Sequence, residues 1–170
     1  MSIRDVIATV NEMEKDGVIE RYAIGGAVGA TFYLEPVSTL DVDIFVTFQS
    51  DEGILSLKPI FDYLIARGGV PEKEYIVLDG FPVQFLPPTS PLVEEALVEA
   101  VIREIDGVPA RVFTPEHLAT IALQVGRTKD KLRVVQFLEE GALDPSRFET
   151  IVQRHNLDGR WVALKSALQL

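Results

Sequence analysis

Residues 24–46 read IGGAVGATFYLEPVSTLDVDIFV. The segment opens on a glycine pair, Gly25-Gly26, and closes on Asp41 and Asp43, two acids inside a strand-forming run. In a β-strand, residues i and i+2 point the same way, so both aspartates project from one face while Val42, Ile44 and Val46 alternate against them. Two adjacent carboxylates repel, and they are tolerated at a solvated strand tip or where a divalent cation sits between them. Glycines at a strand-to-helix turn let the backbone approach a ligand closely, and the first helical amides favour an anion. The fourteen residues from 27 to 40 leave room for one short helix and a turn that returns the aspartates to the glycines.

Working outward, residues 2–16 have the apolar spacing of an amphipathic helix capped by Ser2. The segment 20–26 reads as a short strand, and 27–34 as a helix stopping before Pro36. Ile54 to Ala66 returns to helical period and ends at Gly68-Gly69. Two hairpins are predicted in 74–88 and 101–113, turning at Asp79-Gly80 and Asp106-Gly107, dipeptides that accept a positive φ. Ser90 and Pro91 open a helix to residue 100. After Phe113 the pattern is helical only, with helices over 115–126, 128–140, 145–154 and 158–169. The reading is α/β (α+β): a mixed sheet flanked by helices over residues 1–113, and a C-terminal helical region, 114–170, packed on it.

The composition suits this. The chain has 170 residues, 47% hydrophobic and 25% charged, which are globular values. Its net charge of −10 excludes a general DNA-binding surface, since nonspecific affinity for nucleic acid needs clustered Lys and Arg. There is no cysteine, hence no disulfide and no thiolate metal site. The first residues lack a signal peptide's apolar centre, and no stretch reaches the roughly 18 apolar residues that span a bilayer. A cytoplasmic protein without membrane attachment is expected.

The quoted stretch resembles the signature of nucleotidyltransferases of the DNA polymerase beta superfamily: hydrophobic-Gly-Gly/Ser, a spacer, then Asp-hydrophobic-Asp/Glu. The block TPEHLATIALQVGRTKDKLRVVQFLEE, from Thr114, is similar to a C-terminal helical block of the small prokaryotic branch that includes minimal nucleotidyltransferases and abortive-infection toxins. Gly126, Arg127, Lys129 and Asp130 match there. The resemblance implies a nucleotidyltransferase-like fold and transfer of a nucleoside monophosphate from a nucleoside triphosphate to a hydroxyl of an unknown acceptor, whether protein, RNA or small molecule. It assigns Mg²⁺ or Mn²⁺ to Asp41 and Asp43. It assigns the nucleotide to Gly25, Gly26, Thr39, Arg127 and Lys129.

Three positions depart from the pattern. Gln84 stands where a third catalytic carboxylate is usual, Ala122 where a lysine is common, and Val37 where an arginine is common. A neutral amide cannot act as a general base near neutral pH. The alternative is therefore a catalytically attenuated nucleotide- or partner-binding protein, with membership of a toxin–antitoxin pair and a protein partner as a third reading. Lys131 and Arg133 read as a solvated helix face, as do Asp5, Glu12, Glu14 and Glu94-Glu95. His117 is expected at the surface, and His117 and His155 are too distant in sequence to suggest a zinc site. Trp161 is expected to pack between the last helices.

Overall fold

A computed structural model describes residues 2–35, 41–48 and 56–170. Thr39 and Val37 lie outside the described residues. In chain order the elements are α1 (Ile3–Lys15), β1 (Arg21–Gly25), α2 (Gly26–Ala30), β2 (Val42–Thr47), α3 (Lys58–Ile65), β3 (Val70–Glu72), β4 (Tyr75–Leu78) and β5 (Phe81–Leu86). They continue with α4 (Pro91–Val98), β6 (Val101–Ile105), β7 (Val108–Val112), α5 (Pro115–Val125), α6 (Thr128–Glu139), α7 (Pro145–Arg154) and α8 (Asp158–Leu168). The described strands form one sheet of seven in the order β3-β4-β5-β2-β1-β7-β6. It is mixed: β2 runs parallel to β5, β1 parallel to β7, and the other neighbours are antiparallel. The expected mixed sheet flanked by helices is what forms.

Each face of the sheet carries its own apolar cluster. On one face Val42, Ile44 and Val46 pack with Val6, Ile7, Val10 and Met13 of α1 and with Ile60 and Leu64 of α3. The other face bears Ala23 and Phe113, covered by α4 through Leu92, Ala96 and Leu97 and by the C-terminal helices through Leu118, Phe137, Phe148 and Trp161. Covering both faces makes β2 alternate between fully buried residues and the half-buried Asp43, Phe45 and Thr47. Trp161 meets Phe148 edge to face, ring centroids 5.1 Å apart, so the predicted packing between the last helices is found.

Local chemistry explains the boundaries. Asp5 accepts from the Ser2 amide at 2.8 Å, fixing the start of α1. Both Asp-Gly hairpins turn with positive φ at the two central residues, +45° and +88° at Asp79-Gly80 and +47° and +82° at Asp106-Gly107, the conformation whose twist matches the paired strands. Helix α2 is shorter than expected. Beyond Ala30 the chain tightens into i to i−3 bonds, Phe32 N to Gly29 O and Tyr33 N to Ala30 O, where Thr31, Phe32 and Tyr33 have poor helix propensity. Helix α3 begins at Lys58, and Ile54 lies outside the described residues. Strand β3, the sequence VPE, was not anticipated. It is a three-residue edge whose residues are all exposed, with Pro71 tolerated because an edge strand leaves one side unpaired. Among the described residues no helix is long and apolar enough to cross a membrane.

Candidate active site

The glycine pair and Asp43 meet as their spacing predicts. Gly25 lies opposite Asp43 in the antiparallel β1–β2 ladder, and Asp43 lies opposite Gln84 in the parallel β2–β5 ladder. The register thus puts Gly25, Asp43 and Gln84 in one row across three adjacent strands. Both glycines are required by space. A side chain at Gly25 would press on the Phe45 ring, 2.7 Å from its Cε2. Gly26 has φ +60°, and a Cβ there would overlap Asp43 Oδ2 and sit 3.1 Å from its Cγ. The Asp43 carboxylate therefore rests directly against the backbone that turns into α2.

Asp41 is exposed just ahead of β2, and Tyr75 on β4 donates to its Oδ2 at 3.4 Å. Burial pushes the Asp43 carboxyl above the usual range, and the neighbouring Asp41 charge pushes the same way; Arg133, Arg127 and Lys129 act against both. A carboxylate in that state gains from any cation brought beside it.

Helices α5 and α6 form the opposite wall. A cavity of about 110 Å³ lies between Asp43 and Gly26 on one side and Arg127, Asp130 and Arg133 on the other, floored by Phe45, Phe113 and Ala122. Asp130, almost wholly buried, organises the cations. It accepts from the Arg127 amide at 3.2 Å and from Arg127 Nε at 2.6 Å, while Arg133 Nη1 stands 3.8 Å from its other oxygen. Arg127 is thus half-committed to an internal pair. Lys129 is exposed and reaches Asp43 only through its field.

Arg133 is not part of a solvated face: its side chain is only 19% exposed and it lines the cavity. The signal was available, because Arg127, Asp130 and Arg133 fall at steps of three on one helical stripe, from which Lys129 and Lys131 are displaced. Ala122 also lines the cavity, so the position where the resembled family often has a lysine does face the cleft.

Three further expectations are corrected. His117 is fully buried, with Nδ1 2.7 Å from Thr114 Oγ1 and Nε2 2.8 Å from Glu95 Oε2. The α4, α5 and α7 packing also brings His155 Nε2 to 3.3 Å from the same Glu95 oxygen. Glu95 is therefore no solvated face. Burial alone would raise its carboxyl, but Arg154, His117 and His155 outweigh it and hold it at about 2. Burial in turn holds the His117 imidazole below its usual value, against the pull of Glu95 and Glu99. Helix periodicity gives no hint of this cluster, which depends on how three helices dock. Likewise Glu14 pairs with Arg111 at 2.9 Å.

Neither a protein-family model nor a curated protein sequence matches the chain. Solved structures do. An antigenic nucleotidyltransferase-like protein from Paracoccidioides brasiliensis aligns with TM-score 0.58 at 16% identity, covering 98% of this chain and 91% of its own. The antibiotic-resistance factor ANT(2'')-Ia in solution aligns with TM-score 0.55 at 16% identity, covering 98% and 96%. A crystal structure of ANT(2'')-Ia in complex with adenylyl-2''-tobramycin aligns with TM-score 0.57 at 14% identity, covering 95% and 99%. The fold is nucleotidyltransferase-like.

Proposed function

We propose that the Asp43 cleft binds a nucleoside triphosphate with Mg²⁺ or Mn²⁺ and transfers a nucleoside monophosphate to an acceptor hydroxyl. The observation that carries this reading is the row Gly25, Asp43, Gln84 with the Arg127–Asp130–Arg133 wall facing it. Asp41 and Asp43 fit the ion, because Mg²⁺ takes one or two carboxylates and completes its shell with water and phosphate oxygens. Among the described residues no third acid or imidazole joins them. Bound there, the ion would neutralise phosphate charge and relieve the repulsion within the aspartate pair.

The chain's own residues do the rest. Gly26 lines the cavity, and the Gly25-Gly26 turn, which has no side chains of its own, offers its backbone to the phosphates in this proposal. Arg133, with the free edge of Arg127, sets positive charge across from the carboxylates, where charge migrates toward the leaving pyrophosphate. Arg133 thereby supplies from α6 the charge that position 122 lacks. Lys129 and Thr39 complete the nucleotide site in this proposal, Lys129 as a screened outer charge. Gln84 can accept a hydrogen bond from the acceptor hydroxyl and orient it, but it cannot take the proton near neutral pH.

That neutrality favours a second reading, a nucleotide- or partner-binding protein with attenuated turnover, in which a toxin–antitoxin partner would meet the acidic surface. Calorimetry of ATP with Mn²⁺ tests the site: Asp41→Asn and Asp43→Asn should abolish metal-dependent binding, and unchanged binding would overturn it. Labelled triphosphates with a cell extract test turnover. Label on any acceptor establishes transfer, whereas binding without label, with transfer appearing in Gln84→Asp, establishes the attenuated form. The adenylylated aminoglycoside held by ANT(2'')-Ia makes polyhydroxylated small molecules the first acceptors to try.

A further inference from the structure

Glu95 on α4, Glu99 at its C-terminal end and His117 on α5 each place a ligand atom within 4.8 Å of the others, and His155 at the end of α7, outside that span, stands with its Nε2 3.3 Å from the Glu95 oxygen. We infer that these four side chains form a site for a borderline first-row divalent ion such as Zn²⁺, separate from the aspartate pair, that ties α4, α5 and α7 together.

The distances carry the inference. With bonds of about 2.1 Å, tetrahedral ligand atoms stand roughly 3.4 Å apart. His117 Nε2 is 3.3 Å from Glu99 Oε2, and His155 Nε2 is 3.3 Å from Glu95 Oε2. The third edge, His117 Nε2 to Glu95 Oε2, is 2.8 Å and would open by about half an ångström, as expected when an ion replaces a shared proton.

The hydrogen bonding of His155 also points to a ligand. His155 Nε2 is enclosed and makes no well-formed hydrogen bond, although it stands 3.3 Å from Glu95 Oε2. An enclosed donor left unmatched beside a carboxylate is costly. A lone pair directed at an ion resolves it.

The surroundings agree. Thr114 Oγ1, 2.7 Å from His117 Nδ1, can accept the Nδ1 proton and so fix the tautomer that frees Nε2; hydroxyls and carbonyls play this part behind metal-bound histidines. In that change the imidazole proton moves from Nε2 to Nδ1 and none is lost. Arg154 binds Glu95 through the other carboxylate oxygen, Oε1, leaving Oε2 turned toward the histidines. Arg147 is shared between Glu99 and the buried Glu116. Three carboxylates against two guanidiniums leave a net negative pocket. Two imidazoles select Zn²⁺, Co²⁺ or Ni²⁺ over Mg²⁺. Glu99, 42% exposed, leaves a way in.

Metal-free full-length protein titrated with ZnCl₂ by calorimetry should take up one equivalent, and Co²⁺ should show the visible ligand-field absorption of low-coordinate N/O ligation. Glu99→Gln and His155→Gln should each weaken binding at least about tenfold while the metal-free melting temperature stays near that of the parent. Asp43→Asn should leave Zn²⁺ binding unchanged, which separates this site from the proposed nucleotide site. Absence of saturable binding at one equivalent, or binding indifferent to both α4 and α7 substitutions, overturns the inference. If either variant loses stability without metal, the Co²⁺ spectrum of the parent decides alone: octahedral absorption refutes the site.

Discussion

Gly26→Ala offers a quantitative test of the cleft. Gly26 has φ +60°, and placing an L side chain in that region costs about 1–2 kcal/mol. At roughly 2–4 °C per kcal/mol for a chain of this size, the melting temperature should fall by about 2–8 °C. The new methyl would also overlap Asp43 Oδ2. Because Asp43 presents the mobile end of its side chain, the overlap is relieved by turning the carboxylate away, a displacement on the order of 1 Å, enough to cost about a hundredfold in a positioned reaction. Gly141→Ala is the matched control: its φ is +62°, and its Cβ would meet nothing within 4 Å. Both variants should lose comparable melting temperature. Only Gly26→Ala should lose Mn²⁺-dependent ATP affinity in calorimetry. Equal affinities in the two variants would refute the confinement of Asp43 by the glycine turn.

Further outcomes follow from the charges and the core. The Asp43 carboxyl is raised in the folded protein, so its contribution to stability is full below the unfolded value near 3.8 and is lost as pH rises through the folded value. Without metal, Asp43→Asn should therefore be more stable than the parent at pH 7, with the gap closing toward pH 3.8 in urea denaturation. Glu95 has the opposite sign: held at about 2 against 4.5, it stabilises the fold above pH 4.5 and loses that contribution as pH falls toward 2. Glu95→Gln should flatten the acid limb of a stability–pH curve across that window. Phe148→Ala removes a fully buried ring that meets Trp161 edge to face. It should cost about 3–5 kcal/mol in guanidinium unfolding, with the midpoint lowered and the slope unchanged.

Local grammar carried the sequence reading where local chemistry decides the outcome. The Asp-Gly turns, the Ser90 and Thr114 caps, and the glycine-to-aspartate spacing each depend on a few neighbouring residues, and each forms as expected. Gln84 was legible because it follows from strand alternation once β2 and β5 pair. Arg133 looked like one charge in a solvated run, because a count of charges ignores the stripe that Asp130 anchors. The Glu95, His117 and His155 cluster was invisible for a deeper reason. Its members come from three helices separated by 22 and 38 positions, and no local pattern encodes how α4, α5 and α7 dock. Strand β3 was missed because an exposed VPE edge lacks any apolar alternation.

The shared cluster on the α4 face bears on how the chain is made. Ala23, Phe113 and α4 have their apolar surface covered by residues as late as Trp161 and Leu164, whereas the α1 and α3 face uses only residues up to Val112. During synthesis the α1 side can close while the α4 side still waits for its cover, leaving a sticky nascent surface that a holding chaperone would shield. The cleft shares that delay, since α5 and α6 are its far wall. The proposed nucleotide pocket comes into being only when α5 and α6 have left the ribosome, so a ligand cannot guide the folding of the strands that precede them.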